Sequence, residues 1–200
     1  MKEAFEDFIK INLVSPIFGI TCGLPASFKT TVAEEISTLK GYLLLRSDII
    51  RLSVLRDKDI FDPQVAGNMN NRLLVYEEMF RQAETLTAKK NSVILDATFV
   101  TQELRECAAQ IAAKNGLVFV IFETHCSQRI ALARIKNRSK EKYESNALTK
   151  EAYLANKNKF EPINIDTIKA KFPSLNILHL TINTNQCAIS KWTIIKKTKR

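Results

Sequence analysis

Five short apolar runs alternate with stretches of helical periodicity, and this order leaves few folds open to the chain. Short apolar runs are typical of strands buried on both faces, and the amphipathic stretches between them predict helices packed on a parallel sheet. The predicted strands are Pro16–Thr21, Tyr42–Leu45, Ser92–Ala97, Leu117–Thr124 and Asn176–Asn183. The pattern predicts a three-layer α/β/α fold with a mainly parallel five-stranded sheet.

The predicted helices have apolar residues at three- and four-residue spacing, and several end at a glycine or proline. They are Ala4–Ile11, Thr30–Lys40, Ile49–Leu55, Arg72–Lys90, Gln102–Asn115, Arg129–Arg138, Lys150–Phe160 and Cys187–Lys197. The sequence contains neither an internal repeat nor an interdomain linker, so we expect residues 1–200 to form one domain. The polar segments 57–70 and 139–149 are expected to be mobile connections that extend from this domain.

The charge balance favours anionic partners. The chain carries 30 basic and 21 acidic residues, a net charge of +9, which suits a nucleotide, a nucleic acid, a phosphorylated metabolite or acidic lipid headgroups. The alternative is a lysine-rich solvated surface with no partner. Only five glycines and five prolines are present, which argues against a disordered chain.

The cysteines and the apolar segments predict a cytoplasmic location. The four cysteines contain no CxxC pair, so buried free thiols of a reducing compartment are favoured over a zinc site. The first ten residues hold three acids and do not resemble a secretory signal. The apolar stretches are much shorter than the roughly 20 residues of a membrane-spanning helix, so no membrane partner is expected.

The segment between the first strand and the following helix matches the pattern of a phosphate-binding loop, GxxxxGK[ST], at every defined position except the second glycine. In such a loop the backbone amides and the helix N-terminus face the phosphates, a lysine reaches the terminal phosphates, and a hydroxyl ligates Mg²⁺. The predicted ATP-binding residues are Gly23, Leu24, Pro25, Ala26, Ser27, Phe28, Lys29, Thr30 and Thr31. Phe28 occupies the position of the second glycine, so its ring must either point away from the nucleotide or narrow the pocket.

Two further strand ends carry acidic residues that suit phosphoryl transfer. Asp96 closes the third strand, where its carboxylate can hold Mg²⁺ together with Thr30; alternatively it caps a helix, for which Thr98 is an equal candidate. Asp48 follows the second strand, where it can accept the proton of an attacking hydroxyl. Arg51 can bind an acidic acceptor group; the alternative is an N-cap aspartate with a surface arginine. We assign Asp48, Arg51 and Thr98 to the acceptor site.

Arg134 and Arg138 lie one turn apart on a predicted helix, so both side chains point the same way. Arginines from a lid can neutralise the charge that develops during phosphoryl transfer, and the region 129–159 is therefore predicted to be lid-like. Lys29, Asp48, Arg134 and Arg138 are the predicted catalytic residues. The alternative for the basic stretch that holds both arginines is a solvated face.

Taken together, these motifs resemble the AAA-33 group of P-loop kinases, which includes the polynucleotide 5′-kinase domain and has zeta-toxin kinases as more distant relatives. The usual loop there is GLPGSGKST, and this chain has Gly23-Leu24-Pro25, then Ala26 and Phe28 where glycines are usual. Other matching segments are Asp48–Arg51, Val93–Phe99, Arg134 with Arg138, Ser145–Ala147 and Phe160–Pro162. The resemblance covers roughly residues 16–185 and implies a P-loop NTPase fold that uses ATP and Mg²⁺.

Three functions are open from the sequence. The first is a kinase that transfers the γ-phosphate of ATP to a hydroxyl of a small molecule or of a nucleic-acid 5′ end. The second, suggested by Phe28, is a degenerate P-loop protein that binds nucleotide with little catalysis and acts as a binding module. The third is a nucleic-acid-processing factor, suggested by the net charge and by the basic segment 196–200. The acceptor and the oligomeric state are left open.

Overall fold

The computed structural model, which describes residues 3–60, 62–137 and 149–200, contains a seven-stranded sheet. Its strands are β1 (Glu3–Ala4), β2 (Ile17–Cys22), β3 (Leu43–Arg46), β4 (Val93–Asp96), β5 (Val118–His125), β6 (Ile177–Asn183) and β7 (Thr193–Lys199). They lie in the order β1-β7-β6-β5-β2-β4-β3, with β2 to β6 parallel and the other two antiparallel. The predicted parallel five-stranded sheet is confirmed, and two antiparallel strands extend it.

Helices cover both faces of this sheet. They are α1 (Phe5–Asn12), α2 (Lys29–Lys40), α3 (Ser47–Val54), α4 (Pro63–Gly67), α5 (Met69–Thr87), α6 (Gln102–Asn115), α7 (Gln128–Lys136), α8 (Lys150–Lys159) and α9 (Ile165–Lys171). Apolar residues of α1 and α2 pack on one face, and those of α3, α5, α6 and α9 pack on the other. The three-layer α/β/α prediction is therefore confirmed. Over the described ranges, none of the helices is both long and apolar enough to cross a bilayer.

The predicted helix Cys187–Lys197 is wrong. The structure has a 3₁₀ turn at Ile189–Lys191 followed by β7, which pairs with β6 and β1. Ile194 is 3% exposed and its neighbour Ile195 is 41% exposed, which is the two-residue alternation of a strand. The basic segment 196–200 is consequently part of the sheet, where Lys197 lies over the Phe8 ring, and is not a loose tail.

The four cysteines are unpaired, as expected, but they are not all buried. Cys22 is buried at the end of β2 and Cys126 is half-buried, whereas Cys107 and Cys187 are exposed. Cys107 lies on the outer side of α6 and Cys187 precedes the 3₁₀ turn, so neither position contributes to the core. The prediction of four buried thiols is therefore wrong for two of them.

The sheet topology places a ligand site at the carboxyl end of β2. From β2 the chain crosses to β3 and β4 on one side of the sheet and later to β5 and β6 on the other side. In open α/β sheets, ligands bind outside the carboxyl ends of the strands at such a reversal. All six residues of β2 are buried, so this strand is a fixed base for the loop that follows it.

Candidate functional site

The loop between β2 and α2 has an unusual backbone. Gly23 has φ of 144°, and a Cβ there would lie 2.5 Å from Thr124 Oγ1 and 2.6 Å from the Thr124 carbonyl oxygen, so only glycine fits. Ala26 and Phe28 both have φ of 63°, in the left-handed region. That conformation costs a non-glycine residue about 1–2 kcal/mol. The loop therefore keeps a glycine-type backbone at two positions that lack glycine.

Neighbouring strands hold this backbone in place. The Ser27 hydroxyl donates to the Leu24 carbonyl oxygen at 2.7 Å and lies 2.5 Å from Thr124 Oγ1 at the end of β5. The Thr184 hydroxyl, just beyond β6, donates to the Ser27 carbonyl oxygen at 2.9 Å. Lys29 Nζ donates to the Leu24 carbonyl oxygen at 3.1 Å, so the lysine lies back across the loop. The loop is thus fastened to both strands on that side of β2.

The Phe28 ring packs into the core beside the loop. Its centroid lies 5.6 Å from that of Trp192, and it joins the apolar cluster of α1 and α2. The guanidinium of Arg134 lies over the Phe28 ring, with Cζ 3.8 Å from the ring centroid. The ring is thus held by Trp192 and Arg134. The structure therefore places the Phe28 ring against the apolar cluster of α1 and α2.

Thr30 and Asp96 meet at the start of α2. The Thr30 hydroxyl donates to Asp96 Oδ2 at 2.6 Å, and the Thr21 hydroxyl of β2 donates to Asp96 Oδ1 at 2.9 Å. Asp96 is only 3% exposed. It does not cap α6, because that role belongs to Thr101, whose hydroxyl accepts from the Leu104 amide. A buried carboxylate whose oxygens meet only hydroxyls in these contacts is well suited to a hard cation such as Mg²⁺.

Asp48 and Arg51 form a half-buried pair next to this carboxylate. Arg51 Nη1 donates to Asp48 Oδ1 at 3.0 Å, and each side chain is 16% exposed. Asp48 lies inside the first turn of α3, which begins at Ser47, so it is not the N-cap of that helix. Burial raises the pKa of Asp48, and the nearby Asp96 carboxylate adds to this, while Arg51 and Lys29 oppose it. A carboxylate with a raised pKa is a better proton acceptor.

Arg134 bonds to backbone in this structure. Its guanidinium donates to the Ala26 carbonyl oxygen at 3.0 Å and to the carbonyl oxygens of Thr184 and Asn185 at 2.7 and 3.1 Å. It therefore links the phosphate-loop backbone to the connection after β6. Arg138 and the segment 145–147 lie outside the described residues. The structure thus places Arg134 as a brace on the loop, next to the Phe28 ring.

The remaining predicted residues lie around the same edge of the sheet. Thr98 is half-buried two residues beyond Asp96, and Thr31 is half-buried in the first turn of α2. Leu24 is half-buried and packs with Ala26 against Ala131 and Ile135 of α7, while Pro25 is buried. Of the predicted site residues, the structure thus brings together Thr30 with Asp96 and Asp48 with Arg51.

Several residues that shape the site were not predicted. Thr21, Thr124 and Thr184 hold Asp96 and the loop by hydrogen bonds, and a lone threonine in a strand gives no signal of that role. Arg105 of α6 is fully buried behind the loop that follows β4. A signal for it did exist, since it shares its helix face with Ala108, Ala109 and Ala112. An arginine on the apolar side of a helix predicts a buried, fully bonded guanidinium.

Comparison with known proteins identifies a family for most of the chain. The AAA_33 family model, described as an AAA domain, matches residues 19–163. Proteins Rv2004c of Mycobacterium tuberculosis and Mb2027c of Mycobacterium bovis are each 30% identical over 123 residues, which is 58% of this chain and 24% of theirs. The chain spans about a quarter of the length of these curated relatives.

Three solved structures share the fold. A gluconokinase of Sinorhizobium meliloti has a TM-score of 0.59 at 15% identity, covering 88% of this chain and 86% of that one. A shikimate kinase of Acinetobacter baumannii has a TM-score of 0.53 at 14% identity, covering 93% and 90%. The PezAT toxin–antitoxin system of Streptococcus pneumoniae has a TM-score of 0.55 at 13% identity, covering 96% and 76%. At these identities the likeness shows the fold alone.

Proposed function

The chain belongs to the AAA_33 family, which confirms the resemblance to AAA-33 type P-loop kinases, and from this premise we propose that it is an ATP-dependent phosphotransferase. It binds ATP on residues 23–31 and transfers the γ-phosphoryl group to a hydroxyl of a small molecule or of a nucleic-acid 5′ end. The observation that carries the proposal is the 2.6 Å hydrogen bond from Thr30 to Asp96, directly after a glycine-type loop.

The nucleotide part rests on the backbone of residues 23–30. The first turn of α2 has amides without intrahelical partners, and the positive end of its dipole faces the loop. Lys29 lies back across the loop, from where its ammonium can exchange the Leu24 carbonyl oxygen for a phosphate oxygen. These groups together suit a polyphosphate.

Thr30 and Asp96 are the residues that would hold Mg²⁺. Both supply oxygen ligands, and over the described residues no ion pair neutralises the Asp96 carboxylate, so a cation is compatible with the site. When bound, the ion supplies charge neutralisation at the phosphate oxygens. The cytoplasmic location belongs to the same proposal and rests on the sequence alone.

Asp48 is the proposed base for the acceptor. The acceptor oxygen bonds to the γ-phosphorus while the bond from that phosphorus to the β–γ bridging oxygen breaks, and ADP leaves with the bonding electrons. The proton of the acceptor hydroxyl passes to Asp48, whose basicity is increased by its burial. Arg51, paired with Asp48, can orient an acidic group of the acceptor.

The experiment is a transfer assay with γ-labelled ATP and a panel of acceptors that includes sugars, nucleosides, antibiotics and 5′-hydroxyl oligonucleotides. Lys29→Ala and Asp96→Ala should each lower ATP turnover by at least about 100-fold: the first removes the ammonium that would neutralise the transferred phosphate, and the second removes a carboxylate that would hold Mg²⁺. The exposed Lys89→Ala is the matched control and should retain full turnover. Turnover that survives both site substitutions would contradict the proposal.

A second candidate is a P-loop protein that binds nucleotide with little catalysis. It is favoured by Ala26 and Phe28 in left-handed backbone and by Arg134, which occupies the Ala26 carbonyl oxygen. Calorimetry with ATP and Mg²⁺ separates the two candidates. A large gain in affinity in Phe28→Gly would support degeneracy, whereas tight binding by the unchanged chain would favour the kinase.

A further inference from the structure

Arg105 joins two segments that border the candidate site. Its guanidinium donates to the carbonyl oxygens of Phe99 and Val100 at 3.0 and 3.3 Å, in the loop after β4. It also donates to the carbonyl oxygens of Glu161 and Pro162 at 2.7 and 3.1 Å, just beyond α8. A fifth bond goes to Gln102 Oε1 at 3.2 Å. All five guanidinium N–H groups have an acceptor, which a fully buried arginine requires.

The loop that Arg105 holds is strained. Phe99 has φ of 46° although it is a fully buried phenylalanine, and its amide donates to the Tyr76 hydroxyl at 2.9 Å. Such a conformation persists only where the surroundings over-determine it. Arg105 supplies that restraint through the Phe99 carbonyl oxygen, so the direction of the chain between Asp96 and Thr101 depends on it.

Two other bonds reinforce the junction. The Glu161 amide donates to the Val100 carbonyl oxygen at 2.9 Å, and the Glu161 carboxylate accepts from the Gln102 amide at 2.5 Å. The Phe160 ring lies under the guanidinium, with Cζ 5.0 Å from its centroid. Loop 97–101 and the segment Phe160–Pro162 therefore behave as one unit.

We propose that Arg105 is a positioning residue of the phosphotransferase: it holds loop 97–101, and with it Thr98, in the orientation that the acceptor side of the site needs. The inference rests on the proposed function. Arg105 bonds to the acceptor-side loop and to none of residues 23–30, although it also interacts with the buried Cys22 thiol at the end of β2. Its loss should therefore disturb the transfer step much more than nucleotide binding.

The test compares Arg105→Met, Arg105→Lys and the exposed control Arg81→Met for ATP turnover. Arg105→Met should lower kcat by about 10- to 100-fold with KM for ATP changed by less than about twofold, as expected for a small displacement of a site loop. Lysine has three donors for five acceptors and should not restore kcat. A folded Arg105→Met variant with unchanged kcat, or one in which only KM rises, overturns the proposal.

Two further measurements cover the remaining outcomes. If Arg105→Met does not fold, Glu161→Gln weakens the same junction from an exposed side chain, and kcat should fall by about threefold; an unchanged value overturns the proposal. If the unmodified chain turns over no ATP, the proposed function fails. Amide hydrogen exchange of the nucleotide-free protein then tests whether Arg105 joins the two segments. Arg105→Met should speed exchange in both peptides, 97–104 and 160–165. Exchange that stays unchanged in either peptide overturns the junction.

Discussion

Phe28 shows how a phosphate-loop backbone can tolerate a large side chain at a glycine position. The left-handed φ of 63° costs about 1–2 kcal/mol. Burial of an aromatic ring contributes about 1.5–3 kcal/mol when complete, and the half-buried Phe28 obtains part of this from Trp192 and Arg134. The two contributions nearly balance, so the substitution keeps the fold of the loop.

The left-handed backbone at residue 28 predicts that a glycine variant is more stable than an alanine variant. Phe28→Ala loses the ring contacts and keeps the backbone strain, whereas Phe28→Gly loses the same contacts and relieves the strain. We expect the glycine variant to be more stable than the alanine variant by about 1 kcal/mol in urea unfolding, the reverse of the usual preference. Equal stability, or a more stable alanine variant, would show that the loop does not hold a left-handed residue 28.

Gly23 and Gly41 allow the cost of backbone strain to be measured separately from the cost of a steric clash. Both have positive φ, but a Cβ on Gly41 meets nothing within 4 Å, whereas one on Gly23 meets Thr124. Gly41→Ala should therefore lose only about 1 kcal/mol of unfolding free energy. Gly23→Ala should lose at least about 2 kcal/mol more, because the clash is with backbone as well as with a hydroxyl. Thermal and urea unfolding of the pair measure the difference, and similar losses in both would contradict the clash.

The raised pKa of Asp48 has a consequence for stability against pH. A carboxyl whose folded pKa exceeds its ordinary value of 3.8 holds its proton more tightly in the folded state, so it favours folding at low pH. Its contribution is lost as pH rises from 3.8 through the raised pKa. The unfolding free energy of the native chain relative to Asp48→Asn should therefore fall over that window and level off above it. Urea titrations at several pH values test this, and a difference that grows with pH would reverse the sign.

At the scale of single elements, the segment between β6 and β7 contacts the phosphate loop and stabilises it. Trp192 directly precedes β7, and its Nε1 donates to the Gln186 carbonyl oxygen at 2.8 Å. Its ring packs against the Phe28 ring. The connection from β6 to β7 also supplies Thr184 and Asn185, which bind Ser27 and Arg134. Residues near the end of the chain thus shape the loop between β2 and α2.

The strand assignment of residues 193–199 predicts opposite effects at adjacent isoleucines. Ile194→Ala should lower the unfolding free energy by about 2–4 kcal/mol, since its side chain is buried against α1 and β6. Ile195→Ala should change it by less than about 1 kcal/mol, because that side chain is largely exposed. Chemical unfolding of both variants decides the matter; comparable losses would favour a helix in this region over a strand.

At the scale of the whole molecule, nucleotide binding should be visible as stabilisation. A ligand that binds only the folded state at 100 times its Kd raises the unfolding free energy by about 2.7 kcal/mol. ATP with Mg²⁺ should therefore raise the melting temperature, and the shift should shrink when EDTA removes the metal. Lys29→Ala should abolish most of the shift while Lys89→Ala retains it. A shift that is equal in all four samples would point to binding elsewhere on this basic chain.

The local sequence pattern predicted the strands and the loop that carry the candidate site. The prediction failed where the same pattern fits both a helix and a strand. The parallel strands and the loop at Gly23 follow from apolar runs and from spacing, which act within a few residues. Residues 192–195 contain too few apolar positions to separate a two-residue period from a helical one, so β7 was missed. The N-cap alternatives for Asp48 and Asp96 failed because the helices begin at other residues.

The sequence alone determined the fold class and the places where a phosphate loop, an acidic strand end and an Asp–Arg pair follow the strands, because periodicity and turn chemistry are local. Only the tertiary structure decided that Phe28 lies on Trp192, that Arg134 binds the Ala26 backbone, and that Arg105 joins Phe99 to Glu161. These contacts join residues up to 164 positions apart, as from Phe28 to Trp192. Their partners depend on strand order and side-chain direction, which no short stretch of sequence encodes.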